Sequence, residues 1–168
     1  MLARLAEIVL SDQPRAPRAQ AAAELIRGAI TARWVGIYSV VNDTVTNEAW
    51  SGPAAPAHPT FPVTEGLTGH ALRTHSVALS NDVAHDPRYL VNQDDSGSEL
   101  IMPVMLAGKS VGTLDIESDT IGAFGGAEIT QCEELAAALQ PLWVPVPHNG
   151  TSTPNTAAAL RDLCQRPD

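Results

Sequence analysis

The chain is poor in sulfur and in positive charge. Only two of its 168 residues are cysteine, Cys132 and Cys164, and no C-x-x-C pair occurs. Two isolated cysteines do not form a secretory disulfide framework or a zinc site, so we expect both thiols to be reduced and structural. Ten Lys and Arg stand against 19 Asp and Glu, which gives a net charge of -9. Because phosphate binding needs a basic face, this balance argues against nucleic acid and anionic membranes as partners.

Long apolar runs are missing as well. No stretch of the sequence approaches the roughly 20 apolar residues that span a bilayer. The N-terminus carries acids at Glu7 and Asp12 and lacks the charged-then-apolar order of a signal peptide. We therefore expect a cytoplasmic protein. The length and the 44% hydrophobic content are sufficient for one domain with tails.

Apolar residues are concentrated in residues 98–118, which predict two buried strands joined by a tight turn at Gly108-Lys109. Since both faces of this hairpin are apolar, we expect it in the middle of a sheet. Three acids, Glu99, Asp115 and Glu117, interrupt the pattern, and the last two share a face because they are two apart. Burying such a cluster calls for a cation, hydrogen-bond donors or water.

The rest of the chain alternates between helical and strand patterns. Apolar residues at helical spacing predict helices, and β-branched and aromatic residues predict strands. The predicted helices cover residues 2–10, 18–33, 66–75 and 127–143, and the predicted strands outside the hairpin cover residues 34–41, 44–50, 61–63 and 77–80.

Four motifs follow one another along the chain: G-L-T-G-H-A-L-R-T, N-D-V with D-P-R-Y close behind, S-E-L-I-M-P-V, and G-T-L-D-I-E-S. Their order and spacing over about residues 33–143 resemble the GAF domain family. The resemblance implies an α+β fold with a central antiparallel sheet of five or six strands, terminal helices on one face and a ligand pocket under loops on the other. It also implies small-molecule sensing and a homodimer formed through the terminal helices. Residues 1–32 would then be N-terminal helices, and residues 144–168 a Pro-rich linker and poorly ordered tail.

Within the family, the sequence is similar to the free methionine-R-sulfoxide reductase branch. The shared features are the W-V-G-I-Y strand, the S-E-L-x-x-P segment and the D-I-E-S end of the hairpin. The resemblance implies that the pocket of this chain, like that of the branch, suits a zwitterionic amino acid and its sulfoxide. The side chains it places there are Trp34, Tyr38, Glu99, Asp115 and Glu117.

The reductase chemistry depends on cysteines, since a thiolate attacks the sulfur and a second thiol resolves the intermediate. Counted from the shared motifs, the cysteine positions of the branch fall on His58, Thr68 and Asn92, and none of these is cysteine. Cys132 and Cys164 lie where the branch has no catalytic thiol. The resemblance to the reductases therefore comes without their mechanism.

We predict a small-molecule sensor or binding module without catalysis or cofactor, which takes an amine-bearing metabolite. Two alternatives stay open: a reductase-like enzyme, and a dimerisation unit with a vestigial pocket. Core packing competes with ligand contact as the role of Trp34, and no metal is expected, because His70 and His75 are five apart on a helix and face different directions. The residues predicted to contact the ligand are Trp34, Tyr38, Leu67, Thr68, Asn92, Glu99, Asp115 and Glu117.

Overall fold

A six-stranded antiparallel sheet organises the chain in this computed structural model, which describes residues 1–30, 32–93 and 95–144. The predicted linker and tail beyond Val144, with Cys164, lie outside the described residues. The strands are β1 (Trp34–Val41), β2 (Thr44–Ser51), β3 (Thr60–Pro62), β4 (Ala78–Ser80), β5 (Ser98–Leu106) and β6 (Lys109–Ser118), in the spatial order β3-β2-β1-β6-β5-β4. The helices are α1 (Leu2–Val9), α2 (Arg15–Ile30), α3 (Gly66–Thr74) and α4 (Gly126–Ala138), with short 3-10 turns at Val83–His85 and Gln140–Trp143. The predicted α+β fold is confirmed.

The β5–β6 hairpin lies inside the sheet, as its two apolar faces predict. Its turn is one residue earlier than predicted: Ala107 and Gly108 occupy the two central positions, and Lys109 already belongs to β6. Both central residues have positive φ, 49° and 77°. This is the backbone twist that a two-residue hairpin favours, and glycine adopts it without strain.

One face of the sheet is covered by α1, α2 and α4. Helix α2 packs on the sheet through small side chains, because Ala19, Ala22 and Ala23 are fully buried there. Cys132 of α4 is also buried in this core, and burial raises the pKa of its thiol to about 12. The thiol is therefore protonated and packed as an apolar group.

The largest differences from the predicted helices are at α2 and at the last helix. Helix α2 begins at Arg15, so Pro17 lies inside its first turn, where its missing N–H is not needed. The predicted helix over residues 127–143 divides into α4, which ends at Ala138, and the 3-10 turn. Pro141 has no N–H for an α-helical bond, and the turn is closed instead by bonds such as the one from the Leu142 N–H to the Leu139 carbonyl, 2.9 Å.

Trp143 fastens the end of the described chain to the sheet. Its indole Nε1 donates a hydrogen bond to Ser39 Oγ at 3.1 Å, and the Arg15 guanidinium lies 5.1 Å from its ring centroid. The ring rests against Gly112 of β6. A side chain at Gly112 would meet both this ring and the backbone oxygen of Tyr38.

We predict that Gly112→Ala lowers the free energy of unfolding by about 1 to 3 kcal/mol, because the backbone oxygen cannot move aside. The matched control is Gly28→Ala in α2, where a Cβ has nothing within 4 Å. That control should raise the free energy of unfolding by up to about 1 kcal/mol, the helix preference of alanine. Urea unfolding measures both. Equal stability of Gly112→Ala and the unsubstituted protein would contradict the packing.

Candidate functional site

The opposite face of the sheet bears a small cavity under α3 and two loops. Its volume is about 20 Å³, which leaves room for one or two water molecules. All eight residues predicted to contact a ligand line it, and His58, Phe61, Gly66 and Leu90, which were not among them, also do. The full lining is Trp34, Tyr38, His58, Phe61, Gly66, Leu67, Thr68, Leu90, Asn92, Glu99, Asp115 and Glu117.

Strand register brings the three acids together on the cavity floor. Glu99 of β5 lies directly opposite Glu117 of β6, and Glu117 in turn lies opposite Trp34 of β1. Asp115 occupies the neighbouring row of the same face. The exposed fractions are only 7% for Glu99, 6% for Asp115 and 1% for Glu117. Like charges directly across an antiparallel pair destabilise it, and burial increases that cost.

Hydrogen bonds compensate the three carboxyl groups unequally. Glu117 accepts bonds from Asn92 Nδ2, at 2.5 Å, and from Ser96 Oγ. Asp115 Oδ2 accepts one from Thr68 Oγ1 at 3.3 Å, but its buried Oδ1 has no hydrogen-bond partner in the described part of the chain. Glu99 likewise accepts no hydrogen bond from residues 1–30, 32–93 and 95–144. Asp115 and Glu99 thus each have carboxylate oxygens without a hydrogen-bond donor.

Burial raises the pKa of each acid, and repulsion within the cluster adds to the shifts of Glu99 and Asp115. Burial is the largest cause for Glu99, whose pKa lies well above its ordinary value, and the charges of Glu117 and Asp115 add to it. Burial raises the pKa of Asp115 from 3.8 to about 7, although the hydroxyls of Thr113 and Thr68 oppose the shift. Burial also raises the pKa of Glu117, while the hydrogen bonds from Ser96 and Asn92 lower it because they favour the charged form. At neutral pH the cluster therefore retains protons.

Neither lysine nor arginine lines the cavity in the described part of the chain. Arg33 lowers the pKa of Glu117 but forms its ion pair with Asp95. The basic side chain in the lining is the imidazole of His58. A permanent positive charge beside Asp115 and Glu99 would therefore have to come from a ligand.

Aromatic side chains form the wall beside the acids. Trp34 is 1% exposed, and its ring lies over Gly36 and Gly52, where a Cβ would overlap it. Its Nε1 donates to the Ala54 carbonyl at 3.1 Å. The centroid of Tyr38 lies 6.5 Å from that of Trp34. Trp34 is therefore both a packed core residue and a cavity wall, and the two interpretations of it do not exclude each other.

The roof consists of the loops between β2 and β3 and before β5. Asn92 connects roof to floor, because its Oδ1 accepts a bond from the Ala57 N–H at 3.0 Å while its Nδ2 donates to Glu117. Gln93 Nε2 donates to the Ala55 carbonyl at 3.3 Å. Few polar contacts hold the two loops together over the acids. Ser96 was not among the predicted site residues. A serine in a polar loop follows no periodic pattern, so the sequence does not show which way its side chain points.

A family model, the GAF domain, matches residues 18–140. The chain belongs to the GAF domain family. Two curated relatives are similar to it: the free methionine-R-sulfoxide reductase of Escherichia coli K12, 27% identical over 107 residues, and Protein ZMO0507 of Zymomonas mobilis, 25% identical over 107 residues. These matches cover 64% and 63% of this chain and 64% and 65% of the relatives. The chain thus spans a little under two thirds of the length of these relatives.

Solved structures agree with the GAF fold. The type II free methionine-R-sulfoxide reductase of Thermoplasma acidophilum superposes with a TM-score of 0.72 at 26% identity, over 82% of this chain and 94% of that one. The free methionine-R-sulfoxide reductase of Neisseria meningitidis, solved with its substrate, gives a TM-score of 0.76 at 24% identity and covers 84% of each chain. At that identity, the second likeness concerns the fold alone.

The GAF cavity contains no thiol among the described residues. His58, Thr68 and Asn92, which the sequence motifs predict to stand at the cysteine positions of the reductase branch, all line it. Cys132 lies on the other side of the sheet, in the core under the terminal helices. Within the described ranges, no group of His, Cys, Asp and Glu is arranged to hold a metal ion. None of the described helices is long and apolar enough to cross a membrane.

The raised pKa values predict a stability that falls as pH rises. The unfolded chain loses the Asp115 proton near pH 4, whereas the folded GAF domain keeps it until about pH 7. Between these values the folded state binds more protons, so the free energy of unfolding decreases with pH. Asp115→Asn should make this decrease shallower, while Glu99 maintains part of it. Urea unfolding at pH 5 and pH 8 measures the slope, and equal slopes in both proteins would contradict the assigned pKa of Asp115.

Proposed function

We propose that this GAF domain is a non-catalytic binding module that senses a small, amine-bearing metabolite. The observation that carries the proposal is the buried acid cluster with unused acceptors, above all Asp115 Oδ1. An ammonium group provides a positive charge and several N–H donors at once, so it would satisfy Asp115 and Glu99 together. The ring of Trp34 or Tyr38 would add a cation–π contribution of about 0.5 to 2 kcal/mol.

Ligand entry requires the roof to move, because the cavity has room for only one or two waters. The segments that would open are residues 53–62, which end in the short strand β3, and residues 88–97, since the bonds of Asn92 and Gln93 to Ala57 and Ala55 join them. Binding would then select the arrangement of these segments that fits the ligand.

A route from the cavity to the terminal helices runs through β1. Tyr38 faces the cavity, and the next residue, Ser39, accepts a hydrogen bond from Trp143 on the helical side of the sheet. Arg15 of α2 also bonds to Ser39 and lies against the Trp143 ring. A displacement of β1 on ligand binding would reach both terminal segments. Homodimer formation through the terminal helices stays a prediction.

We expect an amine-bearing ligand to raise the melting temperature, with stabilisation growing as RT ln(1 + [L]/Kd). A thermal-shift screen of amino acids, including methionine sulfoxide, with nucleotides as chemically distinct ligands, tests this. Asp115→Asn should remove most of the shift, because it removes the charge that attracts the ammonium group. The control, Glu134→Gln, makes the same change of charge on the exposed face of α4 and should keep the shift. No shift at millimolar concentration, or an equal shift in Asp115→Asn, would count against the proposal.

The names of the relatives favour a second candidate, methionine sulfoxide reduction. In that reaction the sulfoxide oxygen passes to an attacking thiol as a sulfenic acid, and a second thiol then forms a disulfide and releases water. A thiol reductant restores the pair. The residues that line the cavity offer hydroxyl, amide and imidazole groups instead, and none of these accepts the oxygen in this way.

We therefore expect no turnover of free methionine sulfoxide with dithiothreitol above the uncatalysed rate. Cys132→Ser should behave as the unsubstituted chain does, since that thiol is buried on the far side of the sheet. Turnover that depends on Cys164, or turnover that survives in a chain without cysteine, would each refute the non-catalytic assignment.

A further inference from the structure

A second concave surface lies at the other end of α3 from the acid cavity. Its volume is about 440 Å³, within the range of small-molecule sites. The floor is apolar and includes Val40, Val63 and Leu72, and cationic and imidazole side chains stand at the rim. We call it the basic groove; its lining is Val40, Asn42, Val63, Thr64, Gly69, Leu72, Arg73, His75, Gly108, Lys109 and Ser110.

The charge of the basic groove is opposite to that of the protein. No acidic residue lines it, although the chain has a net charge of -9. Asp43 and Glu65 follow lining residues along the chain but do not line the groove themselves. Lys109 is the single lysine of the sequence, and it lies at this rim. The groove therefore combines two cationic side chains with an apolar floor.

The two cations of the groove have no carboxylate partner within the described ranges. Arg73 contacts only the His70 ring nitrogen, at 3.2 Å, and no ion pair of Lys109 is recorded there. All six other arginines of the described ranges are engaged: Arg4, Arg15, Arg33 and Arg88 form ion pairs with carboxylates, and Arg18 and Arg27 bond to Val9 and Ser51. His75 is held at the rim by a 3.0 Å contact between its Nδ1 and Ser110 Oγ.

We propose that the basic groove binds a small amphiphilic anion, an alkyl carboxylate. Its carboxylate would lie between Arg73 and Lys109, and its alkyl chain would cover Val40, Val63 and Leu72. An apolar floor beside unpaired cations matches both halves of such a molecule. A polyanion or an anionic membrane fits poorly, because the acidic remainder of the chain would repel an extended negative surface.

This inference does not rest on the function proposed for the acid cavity. The two sites have opposite charge and take opposite ligands. Helix α3 contributes Thr68 to the cavity and Leu72 and Arg73 to the groove. Ligand binding at one site can therefore be measured with a ligand whose charge does not suit the other site.

The test is a titration with sodium octanoate, followed by the amide resonances of the ¹⁵N-labelled chain. We expect saturable shifts at Gly69, Gly108 and Lys109. Arg73→Gln and Lys109→Gln should each weaken binding about five- to tenfold, the effect of one charge-assisted contact near the surface. The control is Arg4→Gln, which makes the same change of charge on exposed α1 and should leave the affinity unchanged.

Two further ligands separate the contributions of charge and of the apolar chain. Octylamine has the same alkyl chain with the opposite charge and should leave the resonances of Gly108 and Lys109 unchanged, since these two residues lie away from the acid cavity. Sodium acetate has the anion without the chain and should bind at least tenfold more weakly than octanoate. Four results would each overturn the proposal. Octanoate could shift resonances outside the groove only, or fail to saturate at millimolar concentration. Octylamine or acetate could bind in the groove as well as octanoate does, or Arg4→Gln could lose as much affinity as the groove variants.

Discussion

The structure depends on one pairing in the middle of its sheet, Glu99 opposite Glu117. The apolar residues of β5 and β6 fix this register, because a slip of one residue would turn every core side chain to the wrong face. Both glutamates are thereby placed under α3 and the roof loops, with Asp115 beside them. Burial of the apolar residues of β5 and β6 thus keeps together three carboxyl groups that repel one another when they are charged. The domain accommodates these carboxyl groups because they retain protons and because neighbouring residues donate hydrogen bonds, chiefly to Glu117.

The other features of the site follow from this pairing. Trp34 closes the row beside Glu117, and Gly36 and Gly52 leave space for its ring. Asn92 bonds to the same glutamate, so the acid that is best compensated is also the one that fastens the roof. The two acids with spare acceptors face the cavity without such a bond. A ligand with a positive charge and several donors would complement them, which is why we assign binding and not catalysis to this chamber.

The sequence predicted the parts of the site that lie on regular strands. Alternation along β6 predicted that Asp115 and Glu117 share a face, the resemblance to the reductase branch grouped them with Trp34 and Tyr38, and the motifs indicated the GAF fold. Turns and helix ends were less accurate, as Gly108-Lys109 and the division of the last helix at Pro141 show, because they depend on local backbone angles. Ser96 was not placed at the site, since a loop residue obeys no period and its position is set by contacts with distant strands. The small size of the cavity was also hidden, because it depends on how side chains from several strands, α3 and the roof loops pack together.

The most direct test of the account is the titration of the carboxyl carbons of Glu99, Asp115 and Glu117 by ¹³C NMR in the ligand-free protein. The account predicts that Asp115 titrates near pH 7 and that the pKa of Glu99 lies well above its ordinary value of 4.5. It also predicts that the titrations are coupled, so that Asp115→Asn lowers the pKa of Glu99. Three independent titrations near pH 4 would show that the acids are solvated and separate, and would contradict a buried, uncompensated cluster.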